Sequence, residues 1–298
     1  MHRCIEGLSH LPYPNESRHT PEMIRDLSLR AWDYRAHVLR MVYERKSGHI
    51  GGAFSIAEIL TALYFHHLRL NPEEPDWKDR DRLVLSKGHA CAMLYAVLAH
   101  RGYFPVDELA TFRSLNSRLQ GHPEPSKTPG VEVAAGPLGH GIAIGAGMAL
   151  AARIEGSRRR IYVILGDGEL NSGVIWEGLL LGSKFGLDNL KVIVDYNGVQ
   201  QTGTTNQVMP TEPIVDKLVA FNWHVIEIHG HDMAAVLNAL DFADEIHGRP
   251  VAIVARTTKG KGVSFMENAA KWHGGIPSEP QFEQALAELD KGARQCRA

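Results

Sequence analysis

Beyond about residue 160 the chain alternates between two apolar patterns. Short continuous runs at Ile161–Leu165, Leu190–Asp195, His224–Ile228 and Val251–Arg256 read as strands, while Val174–Phe185, Ile214–Ala220 and Met233–Glu245 repeat apolar residues at helical spacing. Continuous apolar strands separated by helices predict an α/β fold, a parallel sheet with helices on both faces, whose ligands bind beyond the carboxyl ends of the strands. Upstream the pattern is helical. Thr20-Pro21-Glu22 has the form of an N-cap followed by proline at the first helical position, so a long helix is expected from there to about Glu44. Ser55–Leu68 repeats apolar residues behind a serine that reads as a cap, and a helix starting near His89 should stop at Gly102. His140–Ile154 is small and apolar throughout, as suits a buried helix packed closely on a sheet, and the segment from Glu279 to Gly292 is amphipathic.

Between Phe112 and Gly139 the periodicity gives way to a turn-rich loop, QGHPEPSKTPGVEVAAGPLG, long enough to predict a functional segment. Residues 1–20 are polar and proline-containing and are expected to form a loosely held arm; no linker divides residues 21–298, which are read as one domain. A net charge of −2 gives no electrostatic footprint for nucleic acid or an anionic membrane. The one basic run, Arg158-Arg159-Arg160, lies ahead of a strand and reads as a solvated loop. Three scattered cysteines (Cys4, Cys91, Cys296) make no disulfide framework, and neither an export signal nor a membrane span is visible, so a cytoplasmic protein is expected.

Two turns carry the candidate chemistry. Gly166-Asp167-Gly168 follows one predicted strand and Asn197-Gly198 follows the next, about thirty residues on. Either alone is adequately explained as an ordinary turn. If the strands are neighbours, however, the Asp167 carboxylate, the Asn197 amide oxygen and a backbone carbonyl, with Val199 well placed, meet as the hard oxygens that magnesium takes. Gly166 and Gly168 would let phosphates approach the backbone, with a helix beginning near Ser172 aimed at them. Most of the sixteen histidines need no catalytic role, but His49, His89, His122 and His273 stand in loops flanked by glycine or proline. Lys259 and Lys261, in a glycine-rich turn after a strand, suit either an anion contact or a solvated surface.

These turns resemble the thiamine diphosphate fingerprint, a GDG followed about thirty residues later by Asn, and the chain from about residue 25 to 280 resembles the diphosphate-binding half of a transketolase. SGHIGGAFS, DRLVLSKGHA, GHPE, GPLGHG, TTKGKGVSFMEN and KWHGG occur in family order around it. The resemblance implies thiamine diphosphate with Mg2+ (or Ca2+ or Mn2+), the ion on Asp167, Asn197 and the Val199 carbonyl. It implies cofactor contacts from Gly136, Pro137, Leu138, Gly139, Gly166, Gly168, Glu169, Asn197 and His89. His49, His89, His122 and His273 match the histidines that handle sugar hydroxyls and protons. Many family members carry Glu where this chain has Ser172, which removes a carboxylate from the network thought to join paired sites, although Glu177 is retained.

By the same resemblance, the pyrimidine-binding domain, with its activating glutamate and most sugar-phosphate arginines, is expected on a companion C-terminal subunit. The assembly implied is an α2β2 heterotetramer that moves a two-carbon ketol unit between sugars or sugar phosphates. Three other readings compete: a split enzyme with an unusual acceptor in specialised, sulfo- or branched-sugar metabolism, a 2-oxoacid dehydrogenase α subunit, and a non-catalytic binding or regulatory relative. SGHIGG and KWHGG oppose the second, and the intact histidines and metal ligands oppose the third.

Overall fold

A computed structural model describes residues 18–297, so most of the expected N-terminal arm, with Cys4, lies outside the described residues. Five strands, β1 (Arg82–Leu85), β2 (Ile161–Gly166), β3 (Leu190–Tyr196), β4 (His224–His229) and β5 (Val251–Arg256), form one parallel sheet in the order β1-β2-β3-β5-β4. Side chains on successive residues face opposite sides. Thus Ile161, Val163 and Leu165 enter one core, with α5 (His140–Ile154), α6 (Gly173–Lys184) and α8 (Ile214–Ala220), while Tyr162 and Ile164 enter the other. That second core is built from α1 (Pro21–Arg45), α2 (Gly51–Phe54), α3 (Ala57–Ala62), α4 (Cys91–Arg101), α9 (Met233–Glu245) and α10 (Glu279–Arg297). The short α7 (Thr205–Val208) lies between β3 and α8.

The local signals act as expected at both ends of the helical third. Thr20 Oγ1 accepts the Met23 N–H at 3.3 Å and caps α1, and Gly102 ends α4 at φ 99°, a left-handed conformation. Ser55 corrects the expectation of a cap. Helix begins before it, at Gly51, and its hydroxyl instead donates at 2.7 Å to Asp195 Oδ2 of β3, with Gly52 O 3.1 Å away. The segment closes in a π-helical turn, Leu63–His67. The strand β1 was not anticipated, because its apolar run, Leu83-Val84-Leu85, is only three residues long and follows a charged stretch.

The arginine run is also less solvated than expected. Arg160, with 20% of its side chain exposed, pairs with Asp81 at 2.7 Å and with Asp244, and donates to His67 O, tying β1, β2 and α9 together at the amino ends of the strands. Among the described residues no helix is long and apolar enough to cross a membrane.

Candidate active site

Register brings the two turns together. In the pairing of β2 with β3, Gly166 is opposite Asp195, so Asp167 and Asn197 leave adjacent strand tips at the carboxyl edge of the sheet. Asp167 is buried, with Oδ1 accepting the Gly168 N–H at 2.7 Å and Oδ2 the Gly198 N–H at 2.6 Å. Asn197 is oriented by its two neighbours: Nδ2 donates to Asp195 Oδ2 at 3.0 Å, and Oδ1 accepts the Val199 N–H at 3.2 Å. Burial, with the nearby Asp195 charge, pushes the Asp167 carboxyl up to about 6 despite the two N–H donors and Lys87. A carboxylate short of positive charge beside an oriented amide oxygen and a main-chain carbonyl suits a hard divalent cation.

Beneath them, Asp195 is the hub. Lys87, Thr257, Ser55 and Asn197 all donate to its carboxylate, which is fully buried. Burial alone would raise this acid, but Lys87 and the two hydroxyls hold it below the ordinary carboxylate value. Lys87 also donates to Gly52 O at 2.9 Å, and it lines the cleft. Nothing in local sequence marked Lys87 or Asp195; their roles depend on partners 108 residues apart.

Lys259 resolves the ambiguity of the glycine-rich turn. It is 2% exposed, and its Nζ donates to Val199 O at 2.9 Å and Gln200 O at 3.1 Å and meets His273 Nδ1 at 2.9 Å. An ammonium only donates, so His273 accepts at Nδ1 and carries its proton on Nε2. Burial and the neighbouring Lys87 lower Lys259 to about 8. Lys261, by contrast, sits 3.5 Å from Glu267, half-exposed.

Three of the four expected histidines converge. Ring centroids lie 5.3 Å apart for His49 and His89, 5.3 Å for His49 and His273, and 5.0 Å for His89 and His273. Burial, then the charges of Arg113, His122 and Lys259, lowers His49 to about 4; burial and Lys259 lower His273 to about 3. His89 lies well below its ordinary value through burial first, then through the charges of Lys87, His273, His49 and Lys259. All three are therefore neutral imidazoles near pH 7, each with one donor and one acceptor. His49 Nδ1 is buried and has no hydrogen-bond partner among the described residues, so a ligand atom can satisfy it. His122 is exposed on the 112–139 loop and makes none of these ring contacts, though burial and Arg113 lower it too.

The GPLG segment lies along the same edge. Leu138 lines the cleft at 45% exposure, Gly136 and Pro137 are exposed beside it, and Gly139 is buried. Glu169 fastens this segment to the strand tip: Oε1 accepts from Ser86 Oγ and, at 2.7 Å, from the Gly139 N–H, and Oε2 accepts the Gly166 N–H at 3.0 Å. Two glycines allow the close approach. A Cβ on Gly88 would lie 1.7 Å from Ala135 O, and one on Gly139, at φ 88°, 2.8 Å from Ser172 Cβ. The expected helix at Ser172 is present as α6, but Gly168–Asn171 forms a 3₁₀ turn ahead of it, and it is this turn rather than α6 that borders the cleft.

Together these residues enclose a cleft of about 220 Å³ lined by Gly52, Lys87, His89, Leu138, Gly166–Glu169, Asn197, Val199–Gln201, Lys259 and His273. It joins an oxygen-donor site, two buried lysines and neutral imidazoles, a combination suited to an anionic ligand carried with a divalent ion. The comparisons with known proteins agree with that chemistry. Residues 29–290 match the family described as transketolase, thiamine diphosphate binding domain. The chain is 40% identical over 268 residues to one subunit of the apulose-4-phosphate transketolase of Phocaeicola vulgatus, covering 90% of this chain and 95% of that protein. It is 40% identical over 266 residues to one subunit of the 6-deoxy-6-sulfo-D-fructose transketolase of a Clostridium species, covering 89% and 97%. Among solved structures, the transketolase of Leishmania mexicana superposes with a TM-score of 0.80 at 35% identity, covering 92% of this chain and 45% of that one. A transketolase variant from Pichia stipitis gives a TM-score of 0.83 at 31% identity, covering 91% and 44%. The chain thus spans under half the length of those two solved transketolases and nearly all of the two bacterial subunits. Fold, cleft and kinship converge on one assignment: this chain belongs to the transketolase family, as a thiamine diphosphate-binding domain.

Proposed function

We propose that the chain is the diphosphate-binding subunit of a two-component transketolase, moving a two-carbon ketol unit from a ketose to an aldose. The observation that carries this reading is the meeting of Asp167, Asn197 and Val199 with Lys87, Lys259 and three neutral histidines at one sheet edge. Thiamine diphosphate, when bound, supplies a nucleophilic carbon and an electron sink for breaking a carbon–carbon bond beside a carbonyl. The protein's share is to bind and orient. Asp167, the Asn197 amide oxygen and the Val199 carbonyl would hold Mg2+, or the oxygen-seeking Ca2+ or Mn2+. Lys259 now donates to that carbonyl; on loading it would turn to the diphosphate, whose charge Lys87 also offsets. Glycines 166 and 168, Glu169 and the GPLG turn shape the diphosphate pocket. His49, His89 and His273 would exchange hydrogen bonds and protons with sugar hydroxyls, with His122 at the rim.

The bacterial relatives, each named as one subunit of its enzyme, support a companion chain, which would bring the pyrimidine-binding domain and complete an α2β2 assembly. Those names also favour an unusual substrate, since one relative is named for a sugar phosphate and the other for a sulfonated sugar. The retained metal ligands and histidines oppose a non-catalytic role. The test is reconstitution with the companion chain, Mg2+ and thiamine diphosphate, assaying ketol transfer from apulose 4-phosphate, 6-deoxy-6-sulfo-D-fructose and common ketose phosphates. Transfer from at least one donor, lost on Asp167→Ala together with Mg2+-dependent cofactor retention, is expected. A complex that binds no cofactor would sink the reading.

A further inference from the structure

At the opposite end of the strands from the cleft, three metal-ligating side chains converge from three parts of the chain. His19 stands just ahead of α1, His66 lies in the π-helical turn Leu63–His67, and Asp241 is on α9. One ligand atom from each lies within 4.8 Å of the other two, and His19 Nε2 and Asp241 Oδ2 are 3.0 Å apart. Ligands bound tetrahedrally at about 2.0–2.1 Å sit about 3.3 Å from one another. Small side-chain rotations therefore suffice to close the triad on an ion.

The arrangement is also braced from behind. Asp241 Oδ1 faces His67 Nδ1 at 3.5 Å, and the buried His67 in turn meets the Tyr162 hydroxyl at 2.7 Å and Asp244 Oδ2 at 3.2 Å. Its exposed neighbour His66 points instead toward His19, with ring centroids 4.8 Å apart and planes at 84°. Partners that fix a ligating carboxylate in this way are what tuned metal sites use, and π-helical turns recur at functional sites.

We propose that His19, His66 and Asp241 form a binding site for a first-row divalent transition ion of the zinc class, with water completing its shell. Two imidazoles and one carboxylate favour such an ion over magnesium or calcium, which take oxygen. The site is thus chemically distinct from the oxygen donors of Asp167, Asn197 and Val199. A bound ion would staple the chain ahead of α1 to α9 and so raise the resistance of the α1–α9 face to unfolding.

The test is titration of the full chain, stripped with a chelator and returned to excess Mg2+, with Co2+ as a visible-absorption probe and Zn2+ as a competitor. One equivalent of Co2+ should bind and be displaced by Zn2+, and Zn2+ should raise the melting temperature. His66→Ala, at an exposed position, and Asp241→Asn should each weaken Co2+ binding by about tenfold or more and remove the Zn2+-dependent shift. Asp167→Asn should leave both unchanged. Absence of stoichiometric binding, or equal binding in the His66→Ala variant with its circular dichroism intact, overturns the proposal.

Discussion

At the scale of single residues, the site rests on buried groups whose charge is set by neighbours. Glu169 accepts three hydrogen bonds from three separate segments. In Glu169→Gln the new amide NH2 would face at least one of those donors, leaving a buried N–H unpaired at a cost of about 1–3 kcal/mol. A lower urea midpoint, with weaker Mg2+-dependent thiamine diphosphate retention, is the expected result; an unchanged midpoint would show that the clasp contributes nothing. His37 makes a second prediction. Burial, with His100 beside it at 3.1 Å, lowers its pKa from 6.5 to about 4. Between those values the unfolded chain binds a proton that the folded chain does not, so this contribution is complete above about pH 6.5 and is lost as pH falls. His37→Gln should flatten the fall in stability from pH 7 to pH 4.5 by roughly 1 kcal/mol, allowing for partial exposure, as read from urea midpoints at the two pH values.

At the scale of elements, legibility followed how local the cause is. Strands β2, β3 and β5 were readable because each is a largely apolar run buried on both faces, the edge strand β4 because Ile226 and Ile228 alternate with exposed Glu227 and His229, and α1 and α4 because a cap or a glycine stop acts within one turn. What was hidden depends on distant partners. Ser55 looked like a cap, but Asp195, 140 residues away, claims its hydroxyl; Arg160 looked solvated until Asp81 and Asp244 met it. Lys87 and Asp195 gave no sign at all, whereas Asp167, Asn197 and three of the four histidines fell together as expected. The crossing of the GPLG segment over Gly88 is an element-scale constraint that one methyl group tests. Because a Cβ there would fall 1.7 Å from Ala135 O, main-chain displacement is unavoidable. Gly88→Ala should keep the far-ultraviolet circular dichroism but lower thiamine diphosphate affinity about tenfold or more, since neighbouring His89 and Leu138 both line the cleft; unchanged affinity would mean the crossing does not set the pocket.

At the scale of the whole molecule, several apolar side chains are exposed: Leu138 at the border of the cleft at 45%, Ile144 of α5 at 38% and Leu180 of α6 at 56%. Large apolar side chains left exposed on a domain of this family suit a subunit contact. Leu180→Asp should leave the isolated chain as stable as before, within about 0.5 kcal/mol, yet weaken association with the companion chain in native mass spectrometry and lower ketol transfer at dilute protein. Full association would place the contact elsewhere.

The hub at Asp195 also bears on how the chain is made. Its partners reach from Ser55 and Lys87 to Thr257, so the last of them leaves the ribosome long after the first. Until β5 has docked and brought Thr257 alongside, the acid lacks a donor and the turn bearing Lys259 has no edge to rest on. Cofactor capture is therefore expected only once all five strands are in place, and nascent chains halted before β5 should emerge unable to bind thiamine diphosphate.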